Sequence, residues 1–309
     1  MNSSSKIKEL QQMLFDHKQT FLSLKDFFEF ASKFLEFLHD NKQAVIVSQN
    51  EHNYNFFQFN ENAKFVVTRP FNHDLILDFN DFEKKRIEFD KDMQLLKKKK
   101  KSAKFEIDNP LLIDKVLYTI QQSIGFTLDT LPRKSNNGKK INGDLFELLM
   151  LKVMNNIGID ATHGTFPMEI KDNNGKVITK MNWQHDMIVH HQGETKPSMI
   201  GSVKTTSKDR ISKVFMDKFL YNHLAETDTA QIAIFLHDVQ RAKTRKENVY
   251  KISQTFLTGH FKAYTLKLNP LDGVYYMDMR PIFKTDPLLK EQIKQFHLLL
   301  TDDIWEYVN

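Results

Sequence analysis

Two residues stand out for the chemistry they could do: Asp186, a carboxylate inside the apolar run Asp186-Met187-Ile188-Val189, and Lys204, an ammonium closing Met199-Ile200-Gly201-Ser202-Val203-Lys204. The polar His190-His191-Gln192-Gly193-Glu194 between them reads as a turn, so the two runs pair as antiparallel strands. Period two sets Ser202 and Lys204 on one face of the second strand. An acid on the neighbouring strand then converges with them at one end of a sheet. That is a place for a divalent metal and a phosphate. Phosphodiester hydrolysis needs hard oxygen ligands for Mg²⁺, a lysine near the attacking water and the phosphoryl charge, and usually a second carboxylate.

Two residues can supply that second carboxylate. Downstream, Ser207-Lys208-Asp209-Arg210 opens a predicted helix with Ile211, Val214, Phe215 and Phe219 on its apolar side. Asp217 lies two turns beyond Arg210 on the same stripe and can reach back toward a metal. Upstream, Gly143-Asp144 opens an apolar helix running to Asn156, in which Glu147 stands among Leu145, Phe146, Leu148 and Leu149. A carboxylate in so apolar a stretch is costly to bury unless paired, and the alternative is that it faces solvent.

At these residues the chain resembles a known family. Asp186…Ser202-Val203-Lys204…Asp217 looks like the PD-(D/E)xK nuclease site, in the variant whose last acid has moved to the following helix. Ser202 stands where many such sites place a Glu. Lys204-Thr205-Thr206-Ser207-Lys208-Asp209-Arg210 is similar to the corresponding segment of type II restriction endonucleases of the EcoRII/NgoMIV group, which cut CCGG, CCNGG and CCWGG sites. The resemblance covers roughly residues 140 to 240. It implies Asp186, Lys204 and Asp217 as catalytic residues, with Glu147 in the place where such nucleases often carry a helix Glu aimed at the metal. Asp186, Asp217 and Glu147 are then the metal ligands. Asp209 and Arg210 are the base readers and Lys208 a phosphate contact. Two departures are visible: His185 precedes Asp186 where the motif has Pro, and the helix acid is Asp217 rather than Glu, one methylene shorter.

Competing constellations are weaker. Asp160 with Glu169-Ile170-Lys171 also satisfies a D…ExK spacing, but Asp172-Asn173-Asn174-Gly175-Lys176 follows as a hairpin turn and leaves that lysine at an exposed end with no helix after it. His185, His190 and His191 lack cysteine partners and the HExxH spacing of a zinc helix. A ββα-metal nuclease using His185 or His190 as base is the remaining histidine alternative. No phosphate-cradling glycine loop and no Gly-x-Ser-x-Gly elbow appears.

The elements that must position these groups fit 309 residues, one large or two modest domains. Lys6–His17 and Phe21–His39 read as amphipathic helices, the second lined by Leu22, Phe27, Phe28, Phe30, Phe34, Leu35 and Leu38. Gln43–Val47, Tyr54–Phe59 and Lys64–Thr68 alternate as a small antiparallel sheet. Phe82–Lys101 is a charged helix whose closing lysines either track phosphate or sit solvated on the helix dipole. The composition breaks near Ser102-Ala103-Lys104. Residues 1–104 are therefore expected to be a helical and small-sheet accessory or DNA-contacting region, and 105–309 a catalytic domain. A helix follows Asn109-Pro110 through about Gly125, then a basic loop Pro132–Lys140. Ala230–Leu236 is a buried strand directly after a helix, which makes a βαβ crossover and a mixed sheet flanked by helices. Arg241–Lys246 is a second basic loop. Val249–Leu268 and Val274–Met279 read as strands or a final helix, and Asp286-Pro287 starts a helical tail.

The fold class expected is α/β, a restriction-endonuclease-like core with an α+β N-terminal region. A formal charge of +5 and pI near 9.0 fit an anionic partner mildly. Absence of cysteine excludes disulfides, thiolate metal sites and Cys nucleophiles. No apolar leader and no window approaching about 18 apolar residues is present, so a cytoplasmic protein with no membrane partner is expected. The resemblance implies a Mg²⁺-dependent, homodimeric type II restriction endonuclease that cuts double-stranded DNA at a palindrome with C·G pairs and leaves 5′-phosphates. The alternatives are a repair, recombination or nicking nuclease of the same fold, and a non-catalytic DNA-binding protein.

Overall fold

The computed structural model describes residues 3–61, 64–99, 107–131, 136–190, 197–246 and 248–308. Phenylalanines build its N-terminal part. α1 (Ser3–Phe15) and the short α2 (His17–Thr20) lead into α3 (Leu24–Asn41). The start of α3 is closed by Ser23, whose backbone N–H and hydroxyl both donate to Asp26 Oδ2, at 2.6 and 2.9 Å. With no Gly or Pro inside, α3 keeps its helical stripe unbroken and buries Phe27, Phe30, Phe34 and Phe37 fully. β1 (Lys42–Val47), β2 (Tyr54–Glu61), β3 (Lys64–Val67) and the brief β4 (Phe71–Asn72) then form an antiparallel sheet, with β4 beside β2. Asp78 caps α4 (Phe79–Lys98) by accepting the Asp81 N–H at 2.8 Å. Of the lysine run, Lys97 and Lys98 occupy the last turn and Lys99 donates to the Thr301 carbonyl. Lys100, Lys101 and the break at Ser102-Ala103-Lys104 lie outside the described residues.

α5 (Leu111–Asp129) is buried on nearly every side, its polar Asp114, Gln121 and Gln122 included, and lies inside the molecule, with Phe126 against Phe34 and Phe57 at ring separations of 5.8 and 5.5 Å. It runs on to Asp129, past the end expected near Gly125. One hydrophobic cluster extends from Ile7 through α5 to Trp305, so the helices before and after residues 100–106 share an interior. α6 (Asn136–Asn156) starts well before Gly143. Asn136–Lys140, expected as loop, are its first turn, polar because that end is exposed; Pro132–Ser135 lie outside the described residues.

β5 (Ala161–Lys171) and β6 (Val177–His190) form a long hairpin. Its turn is closed by Asp172 N–H to the Lys176 carbonyl at 2.9 Å, and Gly175 takes φ +79° there, a conformation side chains other than glycine's rarely adopt. His190 ends β6; the turn expected through Glu194 lies outside the described residues. β7 (Pro197–Thr206), α7 (Ile211–Ala225) and β8 (Ala230–His237) make the crossover, with β7 and β8 parallel. Then follow β9 (Val239–Arg241), β10 (Ile252–Gln254), α8 (Thr258–Lys267), β11 (Gly273–Tyr276), α9 (Pro281–Thr285), α10 (Leu289–Gln292), β12 (Ile293–Gln295), α11 (Phe296–Leu298) and α12 (Ile304–Tyr307).

The central sheet has the order β12-β11-β8-β7-β6-β5, parallel from β12 to β7 and antiparallel beyond. β8 shows why it is central: Ile232 and Ile234 join the cluster shared with α5 and α6, while Ala233 and Phe235 join the one under α7 and α8. Two expectations fail here. α7 begins at Ile211, not at Ser207. The tail is not one helix: Asp286 does accept the Leu288 and Leu289 N–H groups at 3.1 and 3.2 Å, but the chain then extends so that β12 can pair with β11 and Ile293 can fill the outer cluster. No described helix is long and apolar enough to cross a membrane.

Candidate active site

The β6–β7 pairing ends at Met187↔Gly201. Beyond it Val203 has no partner on β6, and its N–H donates instead to Asp186 Oδ2 at 2.8 Å. The acid thus fills the gap where the two strands part. Lys204, one residue on, places its ammonium between Asp186 Oδ2 and Glu147 Oε1, the latter at 3.0 Å. Glu147 comes from α6, whose rotation is fixed by Leu145, Phe146, Leu149 and Met150, all fully buried. The carboxylate is left at the edge of that apolar face, and it is paired there rather than facing solvent. The side chains of Lys204, Asp186 and Glu147 are 24%, 16% and 27% exposed, so the trio borders solvent without dissolving in it.

Electrostatics at the trio follow from that half-buried setting. Burial, reinforced by the Asp186 charge and opposed by Lys204, pushes the Glu147 carboxyl up to about 7. Burial alone disfavours the Lys204 charge, but Asp186 and Glu147 together outweigh it, and its pKa ends above the usual lysine range. The ammonium is therefore charged at neutral pH.

Lys204 and Glu147 line a cleft of about 1290 Å³, with Asp186 held just behind Lys204. Basic side chains dominate its walls, nine (Arg69, Lys139, Lys140, Lys204, Arg210, Lys213, Arg241, Lys243 and Lys246) against the three acids Asp129, Asp144 and Glu147. Two of these cations, Arg69 and Lys213, carried no signal in the sequence. Arg69 follows β3 and is clasped by Asp129 (2.9 Å) and Asn142 (3.3 Å), partners from α5 and α6 far along the chain. Gly125 makes room for it: a Cβ there would stand 2.5 Å from Arg69 Nη1.

The other candidates separate. Asp217 is half-buried, its carboxyl raised chiefly by burial, and it feels the charges of Lys213, Asp186 and Lys204. No hydrogen bond or ion pair joins it to the trio, and among the described residues no group of three acidic or histidine side chains converges as a metal site. Arg210 lines the cleft, exposed, as the residue preceding α7, whereas Asp209 (φ +54°) and Lys208 lie outside that lining, Lys208 bonded to Gln240 at 3.0 Å. Asp209 does not cap α7; Arg210 occupies that position and makes no side-chain cap. Ser202 pairs with Ala233 across to β8. The rival Glu169 is exposed and bound to Lys180 at 2.9 Å on the hairpin. His185 is packed between Phe166 and Tyr221, and burial holds its pKa down to about 4, so it stays neutral.

The fold has a counterpart among solved structures. The crystal structure of the Type IIP restriction endonuclease Kpn2I superposes with a TM-score of 0.70, over 99% of this chain and 97% of that one, at 17% identity. The fold is the restriction-endonuclease fold. A second similar structure, the restriction endonuclease PspGI bound to substrate DNA, gives a TM-score of 0.43 at 15% identity over 74% of this chain and 91% of that one. No family model matches the sequence, and no curated protein matches it.

Proposed function

We propose that the protein is a Mg²⁺-dependent type II restriction endonuclease acting on double-stranded DNA. The observation that carries this is Lys204 held between Asp186 and Glu147, where β6 and β7 separate, on the floor of a cleft walled by cations. Two carboxylates suit Mg²⁺, which usually takes one or two and completes its shell with water and substrate phosphate. Asp186 and Glu147 would hold it, and Asp217 acts through its charge at longer range. The ion would supply Lewis-acid polarisation of the phosphodiester.

Lys204, charged at neutral pH, is not the proton acceptor. Its ammonium offsets the charge growing on the phosphoryl oxygens and orients the attacking water for in-line displacement. The products are a 5′-phosphate and a 3′-hydroxyl. Arg210 can donate two hydrogen bonds to guanine O6 and N7, and Asp209 can accept one from cytosine N4. Each such pair discriminates by roughly 1–3 kcal/mol. This is consistent with a CCGG- or CCNGG-like core in the manner of the EcoRII/NgoMIV group. A palindrome cut on both strands needs two copies of the site, hence a homodimer. Residues 1–104 contribute Arg69 to the cleft wall and serve as the accessory DNA-contacting part.

The test is digestion of a mapped plasmid with Mg²⁺ and with EDTA, followed by sequencing of the ends. Discrete fragments with 5′-phosphates at one recurring sequence are expected, only with Mg²⁺. Cutting at branches or gaps irrespective of sequence would make it a repair-type nuclease. A gel shift without products would make it a DNA-binding protein.

A further inference from the structure

The connection between β9 and β10 forms one wall of the cleft that holds Lys204. Its root is fastened. Ala242 N–H donates to the Lys251 carbonyl at 2.8 Å, and the Asn50 carboxamide makes two bonds to the Ile252 backbone, at 2.9 and 3.0 Å. The Arg241 guanidinium lies over the rings of Tyr250 and Phe56, 4.9 and 5.9 Å from their centres. Its tip is held by the Thr244 hydroxyl, which donates to the Lys246 carbonyl at 3.1 Å, and presents its cations outward. Lys243, Arg245 and Lys246 are exposed and form no ion pair among the described residues. Asn248, exposed on the cleft lining, holds φ +56°, and its carboxamide has no hydrogen-bond partner among the described residues.

A rigid root with an exposed, cationic tip is what a two-stranded ribbon needs to enter a DNA major groove, whose width admits one. We infer that the β9–β10 hairpin is a groove-reading ribbon: Lys243 and Lys246 hold backbone phosphates while Asn248 reads an adenine outside the pair read by Asp209 and Arg210. A carboxamide offers one donor and one acceptor, the complement of adenine N7 and N6. The inference rests on the DNA-cleaving function proposed above and adds a specificity determinant to it. Turn chemistry by itself also favours Asn at positive φ, so the experiment separates the two.

Sites preferred by the wild type would be selected from a randomised duplex library by binding and by Mg²⁺-dependent cutting, then compared with those of three variants. Asn248→Gly keeps the backbone conformation and should lose discrimination at one base pair per half-site by roughly tenfold or more, with thermal stability unchanged. Asn248→Asp should move that preference from adenine to cytosine, whose N4 a carboxylate accepts. Lys243→Ala with Lys246→Ala should weaken binding evenly across sequences and lower the salt-dependence slope by about 2. If both Asn248 variants keep the wild-type preference, the ribbon assignment is wrong while the nuclease stands. A wild type that neither cuts nor prefers any sequence overturns both.

Discussion

Two acid–cation clusters sit at the C-terminal ends of the parallel strands, and they behave differently. In the cleft, Lys204 bridges Asp186 and Glu147. Just past β8 and β11, Arg280 Nε lies 2.8 Å from Asp238 Oδ2, and Asp278 accepts from Tyr54 (3.0 Å) and Asn72 (2.7 Å). Burial raises acids in both, Glu147 to about 7, Asp238 to about 6 and Asp278 to about 7. The difference is what surrounds them. Asp238 and Asp278 are 0% and 1% exposed, sealed by residues of β2 and β4, so they fasten the N-terminal sheet to the central one. The cleft trio borders solvent and can exchange a partner for a ligand. Composition alone would not tell the solvent-bordering cluster from the buried structural one.

Breaking each cluster should therefore give opposite phenotypes. Lys204→Ala should cut cleavage by about 10²- to 10³-fold, the cost of losing one positioned charge at a reacting phosphate, with DNA binding and melting temperature little changed. Lost binding with normal turnover would oppose this. Arg280→Ala strands the buried Asp238 and should cost about 3–5 kcal/mol of stability, read by denaturant unfolding, while cleavage per folded molecule persists. Unaltered unfolding would show the sealed cluster to be expendable.

Within the cleft, Glu147→Gln should lose far more activity than Asp217→Asn, which should fall by less than about tenfold, since no contact joins Asp217 to Lys204. The reverse ranking would return the second-ligand role to the helix acid. The last test concerns pH. Burial raises the Asp278 carboxyl from its ordinary value to about 7 in the fold, so the folded state binds that proton more tightly than the unfolded one. The associated stability is complete below the unfolded value near 4 and is lost as pH rises toward 7. Asp278→Asn should flatten the wild-type decline in melting temperature across that window. Parallel curves for the two proteins would mean Asp278 is not the group responsible.

Much of the site was legible because its logic is local. Asp186 in an apolar run, Lys204 closing the next one and Glu147 inside an apolar helix each break a pattern that burial would otherwise keep uniform, and such breaks need a partner. The same logic discounted Glu169, since an Asn-Gly turn must lie at a sheet's exposed end. It misled at Ser207–Arg210: polar residues before an apolar stripe look like a first helical turn, yet Asp209 adopts φ +54° and the helix waits for Ile211. Nor could it find Arg69, because its partners Asp129 and Asn142 have no periodic relation to it.

By itself the amino-acid sequence determined the strands and the helix that carry Asp186, Lys204 and Glu147, through alternation and helical stripes that act over a few residues. Only the tertiary structure decided that Glu147 rather than Asp217 meets Lys204, that the tail surrenders a strand to the sheet, and that the β9–β10 hairpin faces the same cleft. Those outcomes depend on how α6 and α7 are rotated against a sheet of mixed direction, which is set by packing between segments far apart in the chain.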